Sequence, residues 1–549
     1  MAINDEQLLD AGLRCGLIEP PVLERLRLEA RRQRLPLLGM VQAHYRFPLA
    51  ALYRAVAERF GMPYLDAQPL AVEQTLLKKI PPSLVQRKLL LPLREGERIW
   101  LVTGDPGDRA GIDSVQRLLG QALPLAMADL AVLQMKAAQA LAAKTAADAP
   151  ALSAESDADL VQVLDNIIRE AYFQRASDIH LLTESHGLRV RLRVDGKLRD
   201  YPLASGPAVA AALISRVKVL AGLDIAEQRM PQDGGFSYHL ARPIEKGFNI
   251  RVATAPTRLG ERITLRLLGQ EAFGLTLSDL GMMDEDLRRF RKVIQRPYGM
   301  VLLTGPTGSG KSTTLFAALQ EINRPDINIM TVENPIEYTM DGVSQVQTGP
   351  KISFADALRS FLRHDPDVLM VGEIRDHETA DVAVKAAMTG HLVFSTLHTN
   401  NAVSAVTRLI DIGCEPFLIG STVAAVIAQR LVRRLCPHCR KPRPATAAEL
   451  AELGADVEQL EIYQAGGCVR CQGSGFSGRL GLFETLWFDE GLARLVARGT
   501  DEEALEAGAG ERLSFMWEDG CRKVRLGLTT LDEVRDVALH KTRAMLSMN

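Results

Sequence analysis

The sequence predicts a multidomain α/β protein that contains one domain with a largely parallel sheet. Its 549 residues correspond to three or four domains at roughly 150 residues per domain. Residues 276–435 alternate short apolar runs with helical patterns, as parallel strands joined by crossover helices do. Inside this stretch the glycine-rich segment GPTGSGKS, residues 305–312, lies between a strand pattern and a helix pattern.

The composition is that of a soluble globular protein. The hydrophobic fraction is 47% and the charged fraction 24%, and the net charge of -2 predicts no general attraction to nucleic acid or acidic lipid. The start of the chain, MAINDEQLLDAG, lacks the basic and then apolar profile of a signal peptide, and no run approaches 18 apolar residues. We therefore expect a cytoplasmic protein.

Two α/β domains are predicted before the glycine-rich segment. In residues 1–136, the stretch KLLLPLREGERIWLVTGDP reads as a strand pair, and the Ala-, Asp- and Ser-rich segment 137–159 reads as a linker. Residues 160–275 begin with a helix, VQVLDNIIREAYFQ, followed by a hairpin that turns at Asp195 and Gly196. A second helix, AVAAALISRVKVLAGL, and two strands, FNIRVATAP and RITLRLL, complete this domain.

The glycine-rich segment matches the phosphate-binding pattern G-x-x-x-x-G-K-S, with the apolar run MVLLT before it and the helix STTLFAALQEI after it. Such a loop directs backbone N–H groups at phosphates, Lys311 reaches the outer phosphates, and the Ser312 hydroxyl ligates magnesium. The sequence therefore predicts a nucleotide site that binds Mg²⁺. The predicted binding residues are Gly305, Pro306, Thr307, Gly308, Ser309, Gly310, Lys311, Ser312 and Thr313.

Candidate acids and histidines follow in three further segments. The run IMTVENPIEY carries Glu333 and Glu337, and the apolar strand VLMV delivers Glu373 to its carboxyl end, where open parallel sheets bind ligands. Isolated carboxylates at strand ends can also be solvated loop residues. The segment TGHLVFSTLHT places His391 and His398 on either side of an apolar strand, and a pair defined by spacing alone is more often structural.

Four cysteines form two C-x-x-C pairs separated by 28 residues. The pairs, Cys436 with Cys439 and Cys468 with Cys471, predict a tetrahedral zinc site, although the spacer exceeds the usual 15 to 20 residues. Four thiolates leave no open position for water, so the predicted role is structural. We expect His438 to face solvent. The isolated thiols are Cys15, Cys414 and Cys521.

A basic run surrounds the cysteine pairs. A zinc ion with four thiolates carries a net charge near -2, which nearby cations can offset. Contact with acidic lipid or a membrane protein is a second interpretation, and nucleic-acid binding is a third, weakened because no aromatic residues are interleaved. The basic residues are Arg430, Arg433, Arg434, Arg440, Lys441 and Arg443.

In its motifs and their order, the chain resembles the secretion ATPase superfamily, specifically the E-type ATPases of bacterial type II secretion and their relatives that assemble type IV pili. The resemblance covers about residues 160–549 and is loose over the first 135. The segments that carry it are ASDIHL, SRVKVLAGLDIAEQRMPQDG, GPTGSGKSTT, TVENPIEY, LRSFLRHDPDVLMVGEIRD, TGHLVFSTLHTN and EDGCRKVRLGLTTLDEV.

The resemblance implies a domain order and a fold for each part. The implied domains are an N-terminal partner-docking domain at 1–136, a PAS-like α/β domain bearing arginines at 160–275, a P-loop (RecA-like) ATPase domain at 276–435, a tetracysteine zinc module at 436–480 and a C-terminal helical segment at 481–549.

It also implies roles for the candidate residues. Glu337 becomes the candidate general base, Glu373 completes the magnesium shell through water, and His391 and His398 fall on the family's histidine box. Four arginines match nucleotide-facing positions of the family, the last two being four residues apart on one predicted helix face: Arg251, Arg266, Arg359 and Arg363. An arginine acting on a neighbouring subunit's nucleotide requires assembly, which fits the homo-hexamer that the resemblance implies.

The chain departs from the family at three positions. Asn334 replaces an aspartate in the usual VEDPIE, Gly235 stands where an arginine is common, and Asn249 replaces another aspartate. These changes alter charge near the site but leave Glu337 and Glu373 in place, so we expect a slow ATPase. A scaffold that binds ATP without hydrolysing it is an alternative, motivated by Asn334.

The resemblance implies that ATP hydrolysis drives pseudopilus assembly and protein export by a type II secretion system. The ring is expected at the cytoplasmic face of the inner membrane, on a platform protein, with the N-terminal domain bound to another membrane component. Pilus assembly is the alternative, and a DNA-translocating or conjugation ATPase fits less well because no basic nucleic-acid stripe is present. In some relatives the N-terminal region binds cyclic di-GMP; RLPLLGMVQAHYRF matches that motif poorly, so we do not expect it here.

Overall fold

The computed structural model of the chain divides into two compact units, Met1–Gln270 and Glu271–Asn549. Most of the predicted linker lies outside the described residues. The residues that the structure does not describe are 1–4, 34–36, 46–48, 68–69, 78, 82–84, 86–87, 131, 135, 138–156, 186, 202, 204–206, 241–246, 269–274, 455–458, 469–470, 472, 500 and 542–549. Within the described part, no helix combines the length and apolar character that crossing a membrane requires.

The first unit contains two sheets. Its helices are α1 Asp5–Arg14, α2 Pro20–Gln33, α3 Leu37–Tyr45, α4 Leu49–Arg59, α5 Gln74–Leu77, α6 Arg109–Leu119, α7 Asp157–Phe173 and α8 Pro207–Leu220. Its strands are β1 Ala71–Val72, β2 Leu90–Glu95, β3 Arg98–Thr103, β4 Leu125–Met127, β5 Ala176–Glu184, β6 Gly187–Val194, β7 Lys197–Tyr201, β8 Gln232–His239, β9 Gly247–Thr257 and β10 Gly260–Leu267.

Both predicted strand pairs of this unit are present. The first sheet has the order β1-β2-β3-β4, and its β2–β3 hairpin is the predicted pair around the turn REGER. The second sheet is antiparallel throughout, with the order β7-β6-β5-β10-β9-β8, and Asp195 and Gly196 form the predicted turn between β6 and β7. Alternate residues of β9 and β10 are buried, so one face of this sheet packs against α7 and α8 and the other is open.

The second unit is built on one large sheet. Its helices are α9 Asp284–Val293, α10 Lys311–Ile322, α11 Phe354–Phe361, α12 His377–Met388, α13 Ala402–Asp411, α14 Pro416–Thr422, α15 Ala447–Leu453, α16 Glu490–Ala497, α17 Glu502–Ala509, α18 Met516–Arg525 and α19 Leu531–Arg535. Its strands are β11 Gly299–Thr304, β12 Ile329–Glu333, β13 Val343–Gln347, β14 Val368–Val371, β15 Leu392–Leu397, β16 Val423–Leu435, β17 Lys441–Pro444, β18 Glu461–Gln464, β19 Phe476–Trp487 and β20 Leu513–Ser514.

The strand order of this sheet is β13-β12-β14-β15-β11-β16-β19-β20, with parallel pairing from β13 to β16. The parallel part confirms the alternation predicted from residues 276–435. Every residue of β11, β14 and β15 is buried because helices cover both faces. Neighbouring residues of β11 accordingly belong to different apolar cores, Val301 on one face and Leu302 on the other.

The C-terminal segment differs from its prediction. Residues 481–549 are expected to be helical, but their first residues belong to β19, which pairs antiparallel with β16 over most of its length. The sheet therefore continues beyond the predicted domain boundary at residue 435, and β17 and β18 form a separate two-stranded ribbon. Gly478 and Gly481 interrupt the apolar alternation of this strand, which weakens the strand pattern in the sequence.

Candidate nucleotide site and tetracysteine cluster

Parallel strands bring the candidate residues to one edge of the large sheet. The phosphate loop follows β11, Glu333 ends β12, Glu373 follows β14 by two residues, and His398 directly follows β15. Because these strands are parallel neighbours, their carboxyl ends meet at the same edge. The arrangement confirms the strand and helix predicted on either side of the loop.

The loop has a backbone that only glycine adopts easily. Gly305, Gly308 and Gly310 have φ values of 145°, 79° and 89°. A Cβ at Gly305 would lie 2.5 Å from the carbonyl oxygen of Gln429, and one at Gly310 would lie 2.7 Å from the Gln429 side-chain nitrogen. Glycine at these positions therefore permits both the loop conformation and its close approach to β16.

Lys311 lies inside this loop at the start of α10. Its side chain is 8% exposed, and the Nζ atom donates hydrogen bonds to the carbonyl oxygens of Gly305 at 2.7 Å and Pro306 at 3.1 Å. Burial lowers the pKa of Lys311 to about 8; the Glu373 and Glu337 carboxylates oppose this shift and the Arg430 guanidinium adds to it. The ammonium group is thus held at the loop and within electrostatic range of two acids.

Ser309 shows that the loop suits a phosphate. Its hydroxyl oxygen is buried and has no hydrogen-bond partner among the described residues, which is costly unless a ligand provides one. The loop combines this atom with the N-terminus of α10 and the Lys311 ammonium, a donor set that matches phosphate oxygens. Ser312, in the first turn of α10, provides a hydroxyl oxygen, a ligand type that Mg²⁺ prefers.

Glu373 is the acid most firmly positioned at this edge. One carboxylate oxygen accepts from Arg375 at 2.7 Å, and the other is 3.1 Å from Nε2 of His398. The Glu373 side chain is only 12% exposed, whereas its two partners are largely exposed. Since Thr396 also bonds to the carbonyl of Gly372 at 2.7 Å, β15 fixes the backbone that carries this acid.

The two acids after β12 have different environments. Glu333 is 4% exposed, and its carboxylate accepts from Thr331 at 2.6 Å and from Gln345 at 2.9 Å. Burial raises the pKa of Glu333. Glu337, unlike Glu333, is exposed, and it acts electrostatically on Lys311 of the loop. The geometry therefore favours Glu337 over Glu333 as a group that exchanges protons with a ligand.

Within the described part of the chain, no hydrogen bond or ion pair joins three of the predicted residues, His391, Arg359 and Arg363, to the phosphate loop. His391 precedes β15 and lies at the opposite, amino edge of the sheet, where its carbonyl accepts from Gly299 and its ring contacts the carbonyl of Ala386. Arg359 forms an ion pair with Glu378 at 2.8 Å.

The spacing of four residues predicts that Arg359 and Arg363 share one helix face. The structure does not confirm this prediction. Helix α11 ends at Phe361, so Arg363 lies in the following turn and donates to the Arg359 carbonyl at 2.9 Å. The sequence Asp365–Pro366 lies just beyond, and a residue before proline is disfavoured in the helical conformation.

Arg251 and Arg266 occupy the open face of the antiparallel sheet in the first unit. They are register partners on β9 and β10. Arg266 donates to Asp178 at 2.9 Å, and Arg193 lies 3.6 Å from the other oxygen of the same carboxylate. One buried acid thus holds two arginines in a row across the sheet.

Sequence reasoning missed three residues of the site. Arg375 lies in the segment VGEIRD and pairs with Glu373. Its position two residues after Glu373 is the feature of the sequence that could have indicated this pair. Gln429, 1% exposed, accepts from the Thr314 hydroxyl at 2.8 Å, and Arg430 lies beside Gly305. No motif signals the last two, because they reach the loop only through the pairing of β16 with β11.

The four predicted zinc ligands converge. All four Sγ atoms lie within 4.8 Å of one another, and three of the separations are 3.9 Å, 3.7 Å and 3.8 Å. Four sulfurs around one zinc at 2.3 Å are about 3.8 Å apart in a regular tetrahedron. The cluster therefore has the size of a zinc site. Its members are Cys436, Cys439, Cys468 and Cys471.

Backbone N–H groups support these thiols. Gly467 donates to Cys439 at 3.2 Å, and the backbone nitrogens of Cys468 and Gly475 donate to the Cys471 sulfur at 3.1 Å each. Burial raises the pKa of Cys436 to about 12, whereas at Cys471 the N–H donors outweigh burial and lower the pKa to about 7. Donors aimed at sulfur favour the thiolate form that zinc requires.

The basic run around the cysteines is mostly engaged elsewhere. Arg433 pairs with Glu533 at 2.6 Å, and Arg443 pairs with Glu449 through two hydrogen bonds. Arg440 donates to the carbonyl of Gly527. Arg430, within the predicted ATPase domain, lies beside Gly305 of the phosphate loop. Arg433 and Arg443 are therefore already neutralised by carboxylates of this chain.

Comparison with known proteins identifies the family. Residues 153–536 match the profile described as type II/IV secretion system protein, and residues 60–145 match the MshEN domain. The chain is 42% identical over 483 residues to type II secretion system protein E of Pseudomonas aeruginosa, covering 83% of this chain and 95% of that protein.

Two further similarities agree with this match. Type II secretion system ATPase E of Vibrio cholerae is 48% identical over 389 residues, 70% of this chain and 76% of that protein. The structure of the ATPase DotB from Legionella pneumophila superposes with a TM-score of 0.52 and 23% identity, covering 68% and 95% of the two chains, which shows a shared fold. The chain belongs to the type II/IV secretion system protein family.

Proposed function

We propose that this chain is a Mg²⁺-dependent ATP hydrolase whose turnover drives protein export by a type II secretion system. The observation that carries the proposal is the phosphate loop, with buried Lys311, facing the positioned carboxylate of Glu373 at one sheet edge. Both relatives compared above have names that place them in type II secretion, one of them as an ATPase.

Within this proposal each residue has a chemical task. The loop 305–313 binds the phosphates of ATP, and Ser312 holds Mg²⁺, which neutralises phosphate charge when bound. Glu337 accepts the proton of the attacking water, and Glu373 would hold a bound Mg²⁺ through water. His398 positions the Glu373 carboxylate through their hydrogen bond.

Catalysis also requires a guanidinium at the developing phosphoryl charge. We assign this to Arg251 and Arg266, with Arg359 and Arg363 as further candidates at a subunit boundary. An arginine supplied in trans makes activity depend on assembly, so the active form is a homo-hexamer. The ion pair with Asp178 holds Arg266 on the open face of the sheet.

The remaining parts connect the motor to the membrane. The domain at 1–136 binds the cytoplasmic part of an inner-membrane secretion component, and the PAS-like domain at 160–275 links it to the ATPase domain at 276–435. The module at 436–480 is closed by structural zinc and faces the platform protein, while 481–549 completes the ATPase sheet and its cover. The ring lies at the cytoplasmic face of the inner membrane.

Phosphate release by the purified full-length chain tests the enzymatic part. Lys311→Ala is expected to lower activity to background, and Glu337→Gln to lower turnover by about 100-fold or more while ATP binding persists. Lys385→Ala, an exposed lysine paired with Asp381, is the matched control and should retain activity. Wild-type activity equal to that of Lys311→Ala, with and without solubilised inner membrane, would contradict the proposal.

The export pathway is tested by using the full chain to capture proteins from detergent-solubilised inner membrane of the source cell. Retention of a type II secretion membrane component, identified by mass spectrometry, is the expected result. Retention of a pilus-assembly component instead would move the chain to pilus assembly.

A further inference from the structure

Strand β16 reaches the phosphate loop from the side away from the acids. It pairs in parallel with β11 up to the register Thr304 with Ala428, so the next two residues, Gln429 and Arg430, lie beside the loop. The backbone oxygen of Gln429 and the Nη1 atom of Arg430 would be 2.5 Å and 3.2 Å from a Cβ at Gly305. Because Gly305 has no side chain, the Arg430 guanidinium can lie next to the loop.

Among the described residues, the hydrogen-bond partners of the Arg430 guanidinium are neutral groups. Arg430 Nη2 donates to the side-chain oxygen of Asn400 at 3.1 Å, and Nη1 donates to the carbonyl oxygen of Gln429 at 3.3 Å. Asn400 follows His398 by two residues. The hydroxyl oxygens of the intervening Thr399 and of Thr304 form a hydrogen bond of 2.7 Å. The end of β15 therefore aims Arg430 at the beginning of the loop.

No ion pair neutralises this arginine within the described part of the chain. Arg430 is half-buried, and Glu484 acts on it electrostatically without forming a salt bridge. Lys311, the other cation of the loop, is bonded to carbonyl oxygens and also lacks a salt bridge there. Two neighbouring, partly desolvated cations without paired carboxylates are unfavourable, and a phosphate group would compensate both.

Arg433, on the same strand, has a different environment. Arg433, three residues further along β16, is neutralised by Glu533 and covers the ring of Phe476 at 3.9 Å. A purely structural arginine in this strand is thus paired with a carboxylate, whereas Arg430 is not. Guanidinium groups bind phosphates through charge-assisted hydrogen bonds, and only part of the five N–H donors of Arg430 is used.

We infer that Arg430 is a second cation that binds the nucleotide phosphates in the same chain, positioned by Asn400 and admitted by Gly305. The inference rests on the proposed ATP binding and adds to it a residue outside the phosphate-loop motif. Arg430 shares the phosphate charge with Lys311, so the affinity for ATP depends on a strand that continues from the loop to the first cysteine of the tetracysteine cluster.

The test compares ATP binding by the full-length chain and its variants in Mg²⁺, with a fluorescent ATP analogue at low and high salt. The variants are Arg430→Gln, Arg430→Lys and Arg434→Gln. Arg434 is exposed on the same strand, four residues or about 13 Å from Arg430, so its replacement makes the same charge change away from the loop. Thermal unfolding of each variant is measured in parallel.

Arg430→Gln is expected to weaken ATP binding by about 10-fold to 100-fold, the loss of one charge-assisted hydrogen bond. Its affinity should also depend less steeply on salt, because one phosphate contact is missing. Arg430→Lys should recover part of the loss, and Arg434→Gln should bind as wild type does, all with unfolding temperatures close to that of the wild type.

Two results would overturn the inference while leaving the proposed function intact. One is ATP affinity of Arg430→Gln within about twofold of the wild type. The other is an equal loss in Arg430→Gln and Arg430→Lys, with an unchanged salt dependence and a lowered unfolding temperature, which would make the arginine structural. A wild-type affinity no better than that of Lys311→Ala would overturn both the inference and the proposed function.

Discussion

ATP binding at the phosphate loop is expected to take up a proton at Lys311 between pH 7 and 9. Burial lowers the pKa of this lysine to about 8 in the free protein. A bound polyphosphate favours the charged form and raises the pKa again. By linkage, ATP binding is then accompanied by proton uptake at Lys311. The uptake equals the fraction of Lys311 that is unprotonated before ATP binds.

The size of the uptake follows from the pKa of about 8. The unprotonated fraction of Lys311 is about 0.1 at pH 7, 0.5 at pH 8 and 0.9 at pH 9, so the uptake per ATP should follow the same values when the complex is fully protonated. Above pH 8 the apparent affinity should fall by up to about tenfold per pH unit, because ever less of the free protein carries the ammonium group.

Isothermal titration calorimetry in two buffers of different ionisation enthalpy measures this uptake directly. Phosphate groups with a second pKa near 6 contribute little at pH 8 and above. Lys385→Ala, which removes an exposed lysine, should show the wild-type uptake, while Arg430→Gln should show a smaller one since it removes a cation that lowers the pKa of Lys311. An uptake near zero at both pH 8 and pH 9 would refute the reasoning, because Lys311 would then be fully protonated before ATP binds.

Three further predictions concern other parts of the second unit. Cys471→Ser should lower bound zinc, measured by colorimetric release, from about one per chain towards zero, while Cys414→Ser, outside the cluster, should keep it. Gly305→Ala should abolish ATP binding in the fluorescence assay, because its methyl group would meet the Gln429 carbonyl at 2.5 Å. Lys523→Met leaves buried Asp519 unpaired and should lower the free energy of unfolding by about 3–5 kcal/mol in denaturant titrations, and adding Asp519→Leu should restore part of it.

Local signals were sufficient for much of the site. The loop, β11 and α10 are consecutive in the chain, so glycine spacing and apolar pattern predict them together. Glu373 was also predictable, because a short buried strand ends two residues before it and the carboxyl ends of parallel strands share an edge. The cysteine pairs were equally clear, since their chemistry depends on spacing that the sequence displays directly.

Residues that depend on strand pairing were not predictable in this way. His391 and His398 look equivalent in sequence, yet β15 separates them by its whole length, and only the residue at the carboxyl end can reach Glu373. Strand β19 was missed because its partner β16 is distant in sequence and glycines interrupt its apolar pattern. Which strands pair is determined by packing in the folded sheet. The apolar periodicity of one sequence does not indicate the pairing partner of a strand.

Arg430 and Arg433 are a second pair of residues that look equivalent in sequence but have different environments in the structure. In sequence both belong to one basic run beside the cysteines, and their charges suggest one shared role. Strand β16 places them three residues apart, where Arg430 meets the phosphate loop and Arg433 meets Glu533. Because the strand then leads directly into Cys436, a single strand connects the phosphate loop with the tetracysteine cluster. Substitutions that loosen the cluster should therefore be examined for ATP affinity as well as for zinc, since a shift of β16 would move Arg430 relative to Gly305.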